Sequence, residues 1–199
     1  MKKMKLLMSL SMLCLSIAML CFGVFAASQV TYTISGTISY TVTDVYCTIS
    51  GVVYKNSAAN VAAGTLNTNL TSLIGGTTSG YTSAQTLSAW TSTGSATSPE
   101  TKAETVNIAF GKDSDNAEWY TYYIILTIQN NSSKQLNANL AITHPASGDT
   151  GYSLLNISTG SKTATIAANA TQKVGVAYSL NDKKTSISNL TLSNVLTVS

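Results

Sequence analysis

The residues able to do chemistry are few. The single histidine, His144, stands directly before Pro145. Imidazole is the commonest general base near neutral pH, and a Ser-His-Asp hydrolase would hold it between a nucleophile and an orienting carboxylate. Serines and aspartates abound here, but no serine sits in a nucleophile-elbow motif. The densest acidic stretch is Asp113-Ser114-Asp115-Asn116-Ala117-Glu118. Carboxylates two residues apart could wrap a hard cation, which makes Asp113, Asp115 and Glu118 weak calcium candidates. An EF-hand loop would need Gly where Glu118 stands and a bidentate Glu further on, so a solvated turn is the preferred reading. These residues make no catalytic set and no cofactor site, and the expectation is a non-enzyme.

Two aromatic residues offer a binding chemistry instead. Trp119 and Tyr123 share one strand parity and would stand about 13 Å apart on one face. Exposed rings in that arrangement can stack on sugars, which makes them weak glycan-stacking candidates. Ile125 shares their side and favours the alternative, a strand covered on both faces.

Residues 1–26 read as a signal peptide. Lys2, Lys3 and Lys5 precede an uncharged, mainly apolar run from Leu6 to Phe25, and Val24-Phe25-Ala26 ends on a cleavable small-residue pattern. Cleavage is expected before Ala27, with membrane contact only through the signal peptide. Neither Cys14 nor Cys21 follows the small residue that lipoprotein processing requires. The mature chain, 27–199, then keeps eight lysines against eight acids and no arginine. It lacks the basic face that releases phosphate counterions, so nucleic acid is not an expected partner. Only Cys47 survives processing, which forbids an intramolecular disulfide and, with one histidine, leaves too few ligands for zinc. Cys47 alternates with Val45 and Ile49 and is expected to be buried. The last strand is followed by no sorting motif or apolar tail, so retention at a cell wall, if any, is expected to be non-covalent or through a partner.

The elements that must carry these residues are strands. Ser and Thr make up about a third of the mature chain, a composition that suits disorder or a glycosylated stalk. The periodicity argues otherwise. Val30, Tyr32, Ile34, Ile38, Tyr40 and Val42 share one parity, hydroxyl residues fill the other, and Gly36 suggests a bulge or bend. The apolar parity flips after Asp44 to Val45, Cys47, Ile49 and Val53. Such a flip requires a bulge or a change of sheet, or the core side chains would turn to water. Residues 56–103 read as a loop-rich insertion holding one short helix with Leu66, Leu70, Leu73 and Ile74, ended by Gly75-Gly76 and anchored by Trp90. Further alternations lie at Val106–Phe110, Tyr120–Ile128, Leu136–Ile142, Tyr152–Ile157, Lys162–Ile166, Val174–Leu180 and Leu190–Val198, with Thr159-Gly160 as one of the turns. About nine strands with short connections predict an all-β, single β-sandwich of jelly-roll or immunoglobulin-like type over residues 27–199.

The segment 27–43 stands out. It carries no charge and lacks the Lys or Pro that natural edge strands use to block pairing. Burying its six apolar side chains would contribute roughly 9–18 kcal/mol. Ordering about ten residues costs on the order of 10–20 kcal/mol whether the strand joins its own sheet or a neighbour's. Geometry and concentration therefore choose between the two.

The run Tyr122-Tyr123-Ile124-Ile125-Leu126-Thr127-Ile128-Gln129-Asn130-Asn131 and the stretch Ile166–Tyr178, two strands joined through Ala-Asn-Ala, resemble the secreted TasA/camelysin-type proteins of Gram-positive bacteria over residues 104–199. The chain also resembles small exported proteins of such bacteria that have no assigned role. The TasA-type resemblance implies a jelly-roll subunit of extracellular matrix fibres joined by an N-terminal donor strand. This chain is much less charged and contains no metalloprotease zinc motif, so no protease activity is carried over. The expected function is an exported structural or surface protein, whose partners are itself or other cell-surface proteins. An adhesin or carbohydrate-binding module is the alternative, and a secreted hydrolase ranks third.

Overall fold

Hydroxyl-rich outward positions and β-branched or aromatic inward positions suit a pleated, half-buried surface, and ten strands form from them among the described residues. The computed structural model describes residues 31–42, 46–56, 61–94, 100–111, 121–143, 155–180 and 191–199. The elements are β1 (Thr31–Val42), β2 (Cys47–Asn56), α1 (Ala63–Ile74), β3 (Thr82–Thr91), β4 (Glu100–Gly111), β5 (Thr121–Asn130), β6 (Leu136–Thr143), β7 (Leu155–Ser161), β8 (Thr163–Ile166), β9 (Thr171–Leu180) and β10 (Thr191–Val198). They build an all-β sandwich of two five-stranded sheets, β4-β1-β10-β6-β8 and β3-β2-β5-β9-β7. From β4 onward each strand lies in the opposite sheet from the one before it. Every such connection therefore carries the chain across the core. The β1–β10 pair is parallel, and the other described pairs are antiparallel.

The core between the sheets is continuous. Ile38, Ile49, Val53, Leu126, Ile128, Leu140, Val174, Val176, Leu196 and Val198 are all fully buried in it. The expected change of parity after Asp44 is met by a change of sheet, since β1 and β2 lie in different sheets; Asp44 itself lies outside the described residues. Cys47 is buried, as its alternation predicts.

The helix forms where the leucine spacing places it. Leu66, Leu70 and Leu73 are buried on one face. Asn, Thr and Ser are poor helix formers, and Thr68, Thr71 and Ser72 each donate a hydroxyl to the carbonyl four residues earlier. Packing therefore sustains this helix more than propensity does. Its leucines cover Tyr123, Ile125 and Ala177 on the outer face of the second sheet. Gly175 permits that approach, because a Cβ there would stand 2.8 Å from the Ile124 carbonyl oxygen and 2.9 Å from Leu70 Cδ1. Gly76, at φ +96°, follows the last turn.

Several expectations need correcting. Gly36 makes no bulge: β1 pairs with β4 in unbroken register from Thr31↔Gly111 to Val42↔Glu100. Residues 56–103 are not merely loop-rich, since they supply α1, all of β3 and the start of β4. β3 escapes the alternation rule because its register against β2 shifts by one residue between the Ile49↔Trp90 and Gly51↔Leu87 pairs. That shift lets Leu87 and Trp90, of opposite parity, both pack on the core. Thr159-Gly160 is no turn; β7 continues to Ser161, and Lys162 alone separates it from β8 in the other sheet.

Candidate assembly site

Of the segment singled out above, residues 31–42 form β1, while Val30 lies outside the described residues. The strand occupies an interior position in its sheet. All twelve residues pair antiparallel with β4, and Ser35–Val42 pair parallel with Thr191–Val198 of β10. Tyr32, Ile34, Ile38, Tyr40 and Val42 fall on it at one parity, and Ile38 and Tyr40 are completely buried. Val106 and Ile108 of β4 and Leu196 and Val198 of β10 bury their side chains on either side. An interior strand has both rows of backbone groups satisfied by neighbours, so its removal would leave two facing rows, those of β4 and β10, without partners.

Tyr40 is the largest of the described side chains that β1 sends into the core. Its ring stacks on Trp90 of β3, in the opposite sheet, with centroids 6.3 Å apart and planes 12° from parallel. This offset distance lies in the favourable range for aromatic pairs. The Tyr40 hydroxyl is buried and has no hydrogen-bond partner among the described residues. Burial, and secondarily the nearby Glu104 carboxylate, push its pKa up. On β10 the inward position opposite Ile38 is polar. Asn194 is buried there and accepts a 2.6 Å hydrogen bond from the Tyr178 hydroxyl of β9, which ties the two sheets together.

The margin beside this site is stitched. β4 and β3 are edge strands of different sheets, and their side chains bridge the gap between them. Gln85 Nε2 donates to the Thr105 carbonyl at 2.9 Å, and the Ser88 amide donates to Glu104 Oε2 at 3.1 Å. Lys102 Nζ lies 2.7 Å from Glu104 Oε1. Further along, the Thr93 amide and hydroxyl both donate to Glu100, which holds that carboxyl below the usual carboxylate range. Charged and bridged edges of this kind resist the addition of another strand.

The remaining candidates fare differently. Tyr123 does not face solvent. It lies fully buried beneath α1, its hydroxyl accepts from Asn69 Nδ2 at 3.0 Å, and Tyr81 meets it edge-on with centroids 5.2 Å apart. A ring so enclosed has no face for a sugar, so the glycan-stacking expectation is corrected for Tyr123; the Ile125 signal pointed to the right answer. Trp119, His144, Asp113, Asp115 and Glu118 lie outside the described residues. Among the described residues no group of three His, Cys, Asp or Glu side chains could hold a metal ion. Nor is any described helix long and apolar enough to cross a membrane. Cys47 accepts a weak contact from Ser92 Oγ at 3.9 Å, and burial pushes its thiol pKa up despite that contact. A thiol held in its protonated form is a poor nucleophile. Sequence reasoning missed two partners of the site, the Trp90 face against Tyr40 and the buried Asn194. The second was visible as a polar residue on the inward parity of Leu196 and Val198.

No protein-family model matches the chain, and no curated protein does. Among solved structures, a FixG-related protein from Vibrio parahaemolyticus aligns at TM-score 0.24 and 10% identity, over 34% of this chain and 54% of that one. The cupredoxin domain of amoB from Nitrosocaldus yellowstonii aligns at TM-score 0.22 and 11% identity, over 35% and 42%. Escherichia coli alpha-2-macroglobulin activated by porcine elastase aligns at TM-score 0.23 and 11% identity, over 79% and 19%. The chain thus covers less than two thirds of each of these structures. Likenesses this slight carry no functional argument.

Proposed function

We propose that the protein is an exported structural subunit of the cell surface, which assembles by placing β1 of one copy into the β4–β10 position of another. The observation that carries this reading is the location of β1: an uncharged strand fills an interior slot yet lies ahead of every other described strand in the chain. Removal of residues 1–26 would leave only four residues before β1, so the strand would be tethered at one end. A strand held at one end can leave its slot and be replaced by an identical strand without any change in the contacts made. Exchange of an identical element is a low-cost route to oligomers, and a head-to-tail version that does not close propagates into a fibre. The resemblance of residues 104–199 to TasA/camelysin-type fibre proteins points the same way.

The test tethers β1 to its own sheet. Ser39 and Ala103 are register partners. A Ser39→Cys/Ala103→Cys pair in a Cys47→Ala background can be oxidised to lock the strand or reduced to free it. Signal-cleaved protein at high concentration should form fibres by electron microscopy when reduced and remain monomeric when oxidised. Fibres from the locked protein, or monomers under both conditions, would refute strand exchange.

A further inference from the structure

The hydrogen bonds of β1 do not say where along its slot it should stop. Its sequence, Thr-Tyr-Thr-Ile-Ser-Gly-Thr-Ile-Ser-Tyr-Thr-Val, is nearly periodic at two residues, with hydroxyls throughout one parity. A slip by two keeps every hydroxyl position on its own face and sacrifices pairing only at the strand ends. Strands without distinguishing side chains are weakly specified in register. Something other than the ladder must fix the pairing of Tyr40 with Lys102 on one side and Leu196 on the other.

We infer that the Trp90 face is a recognition slot for Tyr40, and that this one stack sets the register of the strand seated between β4 and β10. Two observations carry the inference. The first is that Tyr40 is the bulkiest fully buried side chain among the described side chains of the strand and stacks on Trp90, whereas a two-residue slip would bring Ile38 or Val42 to that face. Only a slip of eight would restore a tyrosine, Tyr32, and it would forfeit most of the ladder. The second is that Trp90 is held in place from outside the strand. Its own strand, β3, is fastened to β4 by Gln85, Glu104 and Lys102, so the indole is positioned against the sheet that receives Tyr40. Tyr40 is thus a specificity-determining residue for whatever strand occupies the slot. The extension to a strand donated by a second copy of this chain rests on the exchange reading above; the assignment of register within one copy does not.

Register can be read by disulfide trapping in the mature chain with Cys47→Ala. The Ser39→Cys/Ala103→Cys pair reports the native register, and Ser39→Cys with Thr101→Cys or Thr105→Cys reports a two-residue slip in either direction. With Tyr40 and Trp90 present, only the native pair should close. Tyr40→Ala should divert a substantial share, at least a quarter of the trapped product, into the slipped pairs. Trp90→Ala, made on an edge strand, should do the same if Tyr40→Ala does not fold. Tyr40→Phe keeps the stack and should restore native trapping alone. Exclusive native trapping in folded Trp90→Ala would overturn the inference. The two readings separate cleanly: slipped trapping in variants of a protein that never forms fibres upholds the register role and sinks exchange. Fibres from a protein whose register ignores Trp90 would do the reverse.

Discussion

Three buried protons sit on Tyr40, Cys47 and Tyr123, and burial is the leading cause of a raised pKa at each. Tyr123 is pushed up to about 12 from the ordinary 10.0. An acid whose folded-state pKa is raised keeps its proton in the folded chain and loses it first in the unfolded chain. The associated stability is complete below the unfolded value and disappears as pH rises through the folded one. The protein should therefore lose stability as pH climbs from about 9, where an exposed thiol ionises, through the tyrosine range. Tyr123→Phe removes one of these groups. Its urea midpoint should fall less steeply between pH 10 and 12 than that of the parent; parallel slopes would show that the buried phenol is not linked to unfolding. The same change also deletes the acceptor of the Asn69 amide. At neutral pH it should therefore cost about 1 kcal/mol, the net worth of a typical hydrogen bond.

At the scale of elements, α1 decides what the outer face of the second sheet can do. Its leucines turn Tyr123, Ile125 and Ala177 into a second core, and two polar contacts fix where it lies. Ser158 Oγ donates to Asn67 Oδ1 at 3.1 Å, and Asn156 Nδ2 donates to the Val61 carbonyl at 3.1 Å. A Cβ at Gly160 would overlap the Asn67 amide, so that glycine keeps the helix close to β7. Leu70→Ala would empty a fully buried site and should destabilise the fold by about 2–4 kcal/mol in chemical denaturation. A loss below about 0.5 kcal/mol would mean that the helix is not packed as described. The Leu66, Leu70 and Leu73 spacing made this helix readable from the sequence, whereas β3 was not readable. A strand with a one-residue register shift has no single parity to detect, and Leu87 and Trp90 gave no alternation to follow.

For the molecule as a whole, the order of assembly follows from sequence separation. The pairing of β1 with β10 joins segments at opposite ends of the described chain, whereas β2, β3 and β5 pair across much shorter separations. Long-range closure carries a larger entropy cost before any contact repays it. In addition, β1 is the strand that exchange requires to open on its own. Its amides should therefore exchange with deuterium at a lower opening free energy than those of β5, which has neighbours on both sides and covered faces. Mass spectrometry of peptides spanning 31–42 and 121–130 would measure this. Equal protection would mean that β1 leaves only on global unfolding, and exchange would then be too slow to drive assembly.

Apart from β3, the sequence by itself determined which parity of each strand packs between the sheets, because alternation at two residues reflects pleat geometry and needs no knowledge of neighbours. It also determined the presence of α1, the burial of Cys47 and the all-β class. Strand partners were beyond it. That β1 lies between β4 and β10, that Tyr123 is roofed by α1, and that Tyr40 meets Trp90 across the core depend on which faces meet after the chain has crossed between sheets. Period-two patterns name a face but not the surface it will touch, and a hydroxyl-rich strand pairs equally well with many partners. Only close packing of particular shapes, such as an indole against a phenol or a leucine over a glycine, selects one arrangement among them.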